Sequence, residues 1–171
     1  MKIYPFIVVL LFLSSCFSLK YNFTGGAPPD PRIKTLSVIP FTNESPLVIA
    51  YHSQQFTEQL RNRFLQQSSL SLLANNGDVQ LSGAILSYNI NPVAVSSGTT
   101  INSGAAQNRM EVSVKVKYEN RVNPIDNWEQ TFRSFQDFNA GTPISSVERE
   151  LIEKINDQLT QDIFSKSLGK W

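Results

Sequence analysis

Residues 109–119 show the most regular pattern of apolar and polar positions in the chain. The even-numbered positions are all apolar: Met110, Val112, Val114, Val116 and Tyr118. The odd-numbered positions between them are polar or charged, and include Arg109, Lys115 and Lys117. Successive side chains of a strand point to opposite faces of a sheet. The pattern therefore predicts a strand with one face on a core and the other face in water.

The C-terminal segment has a helical pattern instead. Apolar residues recur every four positions, with Ile152 beside them: Val147, Leu151, Ile155, Leu159 and Ile163. Ser145 and Glu148 have the spacing of a capping box, and Pro143 precedes them. Gly169 is the predicted end of this helix.

An earlier helix is predicted at about 47–67. Ser45 and Pro46 are suited to the cap and the first turn of a helix. The residues expected on its buried side are Tyr51, Phe56, Leu60 and Phe64. Their spacing is close to the helical period.

The other predicted strands are 34–41, 70–73, 79–95 and a segment beginning at Trp128. Residues 75–78 contain the Asn-Gly pair that type I′ hairpins prefer. The apolar phase of 79–95 switches from odd to even positions, which predicts a bulge near 83–87. Residues 96–107 are rich in Ser and Gly and predict a flexible hairpin loop.

The segment after Trp128 is less regular than 109–119. Trp128, Phe132 and Phe138 share one phase, and Arg133 and Phe135 take the other. The element order is then β-α-β-β-β-(β)-α. It predicts an α+β two-layer sandwich, with two helices on one face of a mostly antiparallel sheet of four or possibly five strands.

The N-terminus has the pattern of a secretory signal. Lys2 is followed by an apolar run, 3–13, and then by Ser14, Ser15 and Cys16. Leu-Ser-Ser-Cys matches the lipobox of bacterial lipoproteins, whose cysteine is acylated after the leader is cut off. A plain signal peptide with an incidental cysteine is the alternative. A transmembrane anchor fits less well, because a span needs about 18 apolar residues.

Three segments follow from this interpretation. Residues 1–15 are the leader, 16–32 a lipidated tether with three prolines, and 33–171 a single domain. Removing the leader leaves 156 residues, which suits one domain with its own core. Extended, the tether spans tens of ångströms, at about 3 Å per residue.

Composition excludes several function classes. The mature chain has 14 basic and 14 acidic side chains, so it has no net positive charge that would favour binding to nucleic acid. Cys16 is the only cysteine, and once acylated it leaves no thiol for a disulfide or a nucleophile. His52 is the only histidine, so no usual His/Cys zinc site can form, and no cofactor is expected. It lies at a helix start, where we expect a surface or capping residue.

The chain resembles a known family in several segments. The lipobox precedes Tyr-Asn-Phe-Thr-Gly at 21–25 and Ile-Pro-Phe-Thr-Asn at 39–43. Phe-Thr-Glu-Gln-Leu-Arg-Asn-Arg-Phe follows at 56–64, Ala-Ala-Gln-Asn-Arg at 105–109, and Ser-Val-Glu-Arg-Glu-Leu-Ile at 146–152. In this order they resemble LptE, the lipopolysaccharide-assembly lipoprotein, in its Bacteroidetes form.

The resemblance implies a non-enzymatic outer-membrane lipoprotein that faces the periplasm. LptE-like proteins plug the LptD barrel, help it to assemble and bind lipopolysaccharide. Their fold is two helices on a four-stranded sheet. The resemblance transfers one residue, Cys16, as the site of lipidation.

A lipopolysaccharide site needs cationic side chains beside apolar surface, because the ligand carries phosphates and acyl chains. The candidates are Arg109, Lys115 and Lys117, extended by Arg133 beside Phe135. An ordinary solvated strand face is the competing interpretation, because acids interleave with these bases. The 96–107 loop is a second candidate surface, for the interior of the barrel.

Two other function classes remain open on the sequence. A protein-recognising adaptor of another envelope complex has the same composition, and its co-purifying partners distinguish it. A hydrolase fits poorly, because the chain has no phosphate loop, serine elbow or metal spacing.

Overall fold

A computed structural model describes residues 30–46, 51–93 and 106–168. The strands are β1 (Thr35–Val38), β2 (Thr42–Asn43), β3 (Ser71–Leu73), β4 (Val79–Val93), β5 (Gln107–Asn120) and β6 (Trp128–Asn139). The helices are α1 (His52–Gln67) and α2 (Ile144–Leu168), and a 3₁₀ turn, Pro124–Asp126, joins β5 to β6. Both helices pack on one face of the sheet, which confirms the two-layer arrangement.

The sheet is mixed and has six strands, so the expected antiparallel sheet of four or five strands is wrong in detail. Its order is β3-β1-β4-β5-β6, and β2 also pairs with β4. β1 runs parallel to β3 and β4, and β2 runs parallel to β4. For the β1–β3 pair the physical reason is α1, because a helical crossover returns the chain parallel to the strand it left. Only β4, β5 and β6 form an antiparallel meander.

The chain turns at 75–78 as predicted, but the turn does not close the hairpin that an Asn-Gly pair favours, because β1 lies between β3 and β4. The segment is still a tight turn, with Asn76 at a φ of 59°. The Asp78 carboxylate accepts hydrogen bonds from the backbone N–H groups of Lys34 and Thr35, both at 2.9 Å. These contacts fasten the turn to β1 instead of forming a two-strand hairpin.

The predicted bulge in β4 is confirmed. The register with β5 shifts between Ile85 and Ser87, inside the predicted range 83–87. Before the shift Ile85 lies in the core, and after it Tyr88 does. The extra residue thus keeps the apolar side chains of both halves on the helix side.

The alternation of β5 and β6 is confirmed as well. Every even-numbered residue from Met110 to Tyr118 is buried in the core. On β6, Phe132 is buried, and Trp128 and Phe138 pack against the same core. Because side chains alternate, Arg133 and Phe135 lie on the opposite face of the sheet.

The helix starts differ from the predictions. The described part of α1 begins at His52 with Tyr51 at its N-cap, and 47–50 lie outside the described residues. α2 begins at Ile144, so Ser145 lies in its first turn and does not cap it. Glu148 accepts a hydrogen bond from the Tyr88 hydroxyl at 2.9 Å. The predicted capping box is therefore wrong.

Several predictions concern parts of the chain outside the described residues. These are the leader and most of the tether, the end of the predicted 79–95 strand at 94–95, residues 96–105 of the hairpin loop, and 169–171 with the proposed helix end. Of the helices that are described, none combines the length and the apolar composition needed to cross a membrane.

Candidate functional site

The candidate site is the sheet surface opposite the helices, which we call the open face. It carries the odd-numbered side chains of β5 and β6, because the even-numbered ones fill the core. All four basic residues predicted from the sequence lie on it: Arg109, Lys115, Lys117 and Arg133. Four acids lie among them: Glu111, Glu119, Glu129 and Asp137. The open face is thus a mixed-charge surface, not a cationic one.

The two lysines each contact a carboxylate. Lys115 Nζ lies 2.6 Å from an oxygen of Glu129, which is diagonal to it on β6, because the residue directly opposite Lys115 is Thr131. Lys117 Nζ lies 2.6 Å from an oxygen of Glu119 on the same strand. The hydrogen bond that Lys115 donates to Glu129 raises the pKa of Lys115, and the one that Lys117 donates to Glu119 raises the pKa of Lys117. Both lysines are therefore charged and already partnered.

Arg109 is held more firmly than the lysines. Its Nε and Nη2 donate to the two carboxylate oxygens of Asp137 at 2.7 and 2.9 Å. Its guanidinium carbon lies 3.7 Å from the centre of the Phe135 ring. The hydrogen bonds with Arg109 lower the pKa of Asp137. A two-point ion pair and a cation–π contact together fix this side chain.

Arg133 differs from the other three bases. Within the described ranges it forms no ion pair and donates no side-chain hydrogen bond. It lies beside Phe135, whose side chain is 46% exposed although it is aromatic. A groove of about 560 Å³ runs along this part of β6, lined by Arg133, Ser134, Phe135, Gln136, Asp137 and Gln158. This is the place where an uncompensated cation lies beside apolar surface.

Sequence reasoning missed the partners that neutralise these bases. Glu129 and Asp137 occupy the same phase of β6 as Arg133, four residues to either side. That phase could have predicted cross-strand ion pairs with the bases of β5. What it could not give is the register, which decides which acid meets which base.

His52 is buried, so its expected surface or capping position is wrong. It is 1% exposed, and its Nε2 lies 3.0 Å from Oδ1 of Asn156, which is also buried. The two residues join α1 to α2. Burial lowers the pKa of His52, while Asn156 and the charge of Glu148 oppose that shift. The imidazole is thus neutral and structural.

We expect this burial to make the fold sensitive to mild acid. The folded pKa lies below the ordinary value of 6.5, so the unfolded chain takes up a proton first as the pH falls. The free energy of unfolding should therefore fall below pH 6.5, by at most about 1.4 kcal/mol per pH unit. Urea unfolding between pH 5 and 7.5 measures this.

The matched variant is His52→Gln, which keeps a hydrogen-bonding group and removes the titration. Since His52 is the only histidine, no other side chain of this type titrates in that window. The variant should have a flatter pH profile than the natural chain. Identical profiles would contradict a buried, neutral His52.

Within the described residues, no three His, Cys, Asp or Glu side chains come together in a way that could hold a metal ion. The open face itself presents exposed cations, carboxylates and the ring of Phe135.

Solved structures with a similar fold include three proteins of low sequence identity. A minor lipoprotein from Acinetobacter baumannii is 14% identical, covers 78% of this chain and 91% of its own, and has a TM-score of 0.50. A hypothetical protein from Chlamydia trachomatis is 9% identical, with 80% and 99% covered and a TM-score of 0.52. The uncharacterized lipoprotein B from Nitrosomonas europaea is 10% identical, with 86% and 87% covered and a TM-score of 0.50. At these identities the likeness concerns the fold alone.

A search of curated protein sequences gives no match. The model of the LptE family, described as lipopolysaccharide assembly, matches residues 33–167. The match takes in β1 to β6, α1 and nearly all of α2. The chain therefore belongs to the LptE lipopolysaccharide-assembly family.

Proposed function

We propose that this protein is a non-enzymatic lipoprotein of the outer membrane that plugs the LptD barrel, helps it to assemble and binds lipopolysaccharide. The observation that carries the proposal is the family match over 33–167, which covers almost the whole domain. In the proposed mature form, residues 1–15 are removed and acyl chains on Cys16 hold the protein to the membrane. The tether, 16–32, then places the domain on the periplasmic side.

The open face suits a plug in a water-filled barrel. The outward side chains of β5 and β6 are charged or polar apart from Phe135, and the bases and acids on these two strands are equal in number. Water can solvate such a surface in the absence of a partner. Because its charges balance, it creates no large electric field inside the barrel. The helix side, by contrast, supplies the core that keeps the domain folded.

Lipopolysaccharide binding is assigned to the same face. Arg133 offers a guanidinium next to the exposed Phe135 ring, which matches a ligand with phosphates and acyl chains. Lys115 and Lys117 are half-exposed, and exposed ion pairs of this kind contribute little to stability. A phosphate can therefore replace their carboxylates at small cost.

We expect charge reversal on the open face to weaken binding. Arg133→Glu should lower lipopolysaccharide affinity by about tenfold, and Lys115→Glu with Lys117→Glu by up to about a hundredfold, because each lost charge-assisted hydrogen bond is worth about 1.5 kcal/mol. Binding of the lipidated chain to labelled lipopolysaccharide measures this. Lys154→Glu is the control: it is similarly exposed and similarly paired, with Glu150, but lies on α2.

Unchanged affinity in both open-face variants would contradict this assignment. An equal loss in Lys154→Glu would mean that net charge, not the open face, governs binding.

The compensated charges of the open face favour one alternative, a protein-recognising adaptor of another envelope complex. Paired bases and acids are typical of surfaces that meet a protein of complementary pattern. The two proposals differ in partner: a large outer-membrane barrel in the first, soluble envelope proteins in the second.

A further inference from the structure

β6 is an edge strand whose outer side is unpaired within the described part of the chain. The N–H of Ala140 donates to the carbonyl of Ala106, which lies directly opposite, at 2.9 Å. Bonded and non-bonded pairs alternate along an antiparallel ladder. The even-numbered residues of β6 therefore bond to β5. The odd-numbered residues from 129 to 137 direct their N–H and C=O groups outward.

The same odd-numbered residues carry their side chains on the open face, and their pattern is Glu129, Thr131, Arg133, Phe135 and Asp137. An unpaired backbone edge of this length is a template for another strand. The side-chain pattern decides which strand it accepts. Around Phe135 the pattern is a base, an aromatic ring and an acid: Arg133, Phe135 and Asp137. When two copies of this segment run antiparallel, the base of each copy lies opposite the acid of the other.

We propose that β6 pairs antiparallel with β6 of a second copy of this chain, in a register centred on Phe135. Phe135 then lies opposite Phe135 of the second copy, and the two exchange backbone hydrogen bonds. Arg133 lies opposite Asp137 of the second copy, and Asp137 opposite its Arg133. The contact thus gives Arg133 the carboxylate that it lacks among the described residues, and covers an exposed aromatic ring.

Other registers fit less well. A register centred on Arg133 places Arg133 opposite Arg133 of the second copy, and Glu129 opposite Asp137 of the second copy. Every charged pair then repels. Centring on Thr131 pairs Glu129 with Arg133, but places the exposed Phe135 opposite the amide of Asn127. The register centred on Phe135 satisfies both the charges and the ring.

The surrounding structure leaves room for this pairing. A two-fold axis perpendicular to the sheet keeps both pairs of helices on one side, so the two sheets join into one. The groove along 133–137 is open and is bordered on the helix side by Gln158 of α2. Arg109 keeps its contacts with Asp137, because these lie toward β5 and not toward the edge.

The test uses two differently tagged copies of the full lipidated chain, expressed together and purified in detergent. Natural copies should co-purify. Arg133→Asp alone places two acids opposite each other at both ends of the contact, and Asp137→Arg alone places two bases there. Each variant should therefore co-purify with itself about tenfold less.

Mixing the two variants is the decisive step. In a pair of one Arg133→Asp chain and one Asp137→Arg chain, every acid again meets a base, and co-purification should return to the natural level. Recovery also shows that both variants fold. Glu129→Gln should leave co-purification unchanged, because Glu129 lies beyond the charged pairs of this register.

Natural copies that do not co-purify would overturn the proposal. So would loss in both single variants without recovery in the mixture. Loss in Glu129→Gln would overturn the register, because it is expected when the centre is Thr131. Recovery in the mixture depends on the pairing of residues 133 and 137 across the contact and not on the lipopolysaccharide affinity of either variant alone, so failure of this proposal and failure of the proposed function are distinguishable.

Discussion

Replacing Gly83 with valine is expected to lower the free energy of unfolding by about 3 kcal/mol, among the largest effects of any single substitution in this domain. A Cβ at Gly83 would lie 2.0 Å from the carbonyl oxygen of Lys115 and 2.7 Å from the Phe41 ring. The first contact is with the backbone of the neighbouring strand, so β4 and β5 must separate to relieve it. Urea unfolding followed by circular dichroism measures the loss.

Gly141→Ala is the matched control for this prediction. Its Cβ would meet only the side-chain oxygen of Asn139, at 3.2 Å, in an exposed turn where small shifts are possible. Its effect should stay within about 0.5 kcal/mol. If Gly83→Val unfolds at the same urea concentration as Gly141→Ala, the close packing of β4 on β5 is contradicted.

Removing the proposed lipid anchor is expected to move the protein from the membrane fraction to the soluble fraction. Each buried methylene of an acyl chain contributes about 0.8 kcal/mol, and two or more chains give stable anchoring where one does not. The variant replaces residues 1–15 with an ordinary cleavable signal and Cys16 with serine, so that neither acyl chain nor leader remains. Fractionation should show more than a tenfold shift.

Mass spectrometry of the natural mature chain is the companion measurement. It should show an N-terminal residue 16 carrying acyl groups. A mature chain with an unmodified Cys16, or with the leader still attached, would contradict the lipidation proposal, the tether and the membrane placement together.

The two layers of the fold could be predicted from local patterns alone. The alternation of 109–119 and the four-residue recurrence from Val147 to Ile163 each depend on one face of one element. The bulge was predictable for the same reason, because a phase switch in β4 needs an extra residue to keep its side chains on the core. In each case the pattern and the structure concern the same few residues.

The sheet order could not be predicted in the same way. β1 pairs with β3 and β4 on its two sides, and these pairings join residues more than thirty positions apart along the chain. The Asn-Gly turn favours a hairpin locally, but the pairing of both strands with β1 is stronger. His52 is a similar case, because its burial depends on Asn156, 104 residues later.

The candidate site was predictable as a face but not as a charge pattern. Alternation placed Arg109, Lys115 and Lys117 on one side of β5, and the structure agrees. Whether a base is free or neutralised depends on the register of β6, which alternation does not fix. In that register Arg133 lies opposite Ser113, not opposite an acid. Arg133 and Phe135 both line the groove along β6.

The most direct test of the central claim is affinity purification of the lipidated chain from detergent-solubilised outer membranes. The account predicts that a large barrel protein of the LptD kind and lipopolysaccharide co-purify with it. Recovery of soluble envelope proteins, with neither the barrel nor lipopolysaccharide, would contradict the account.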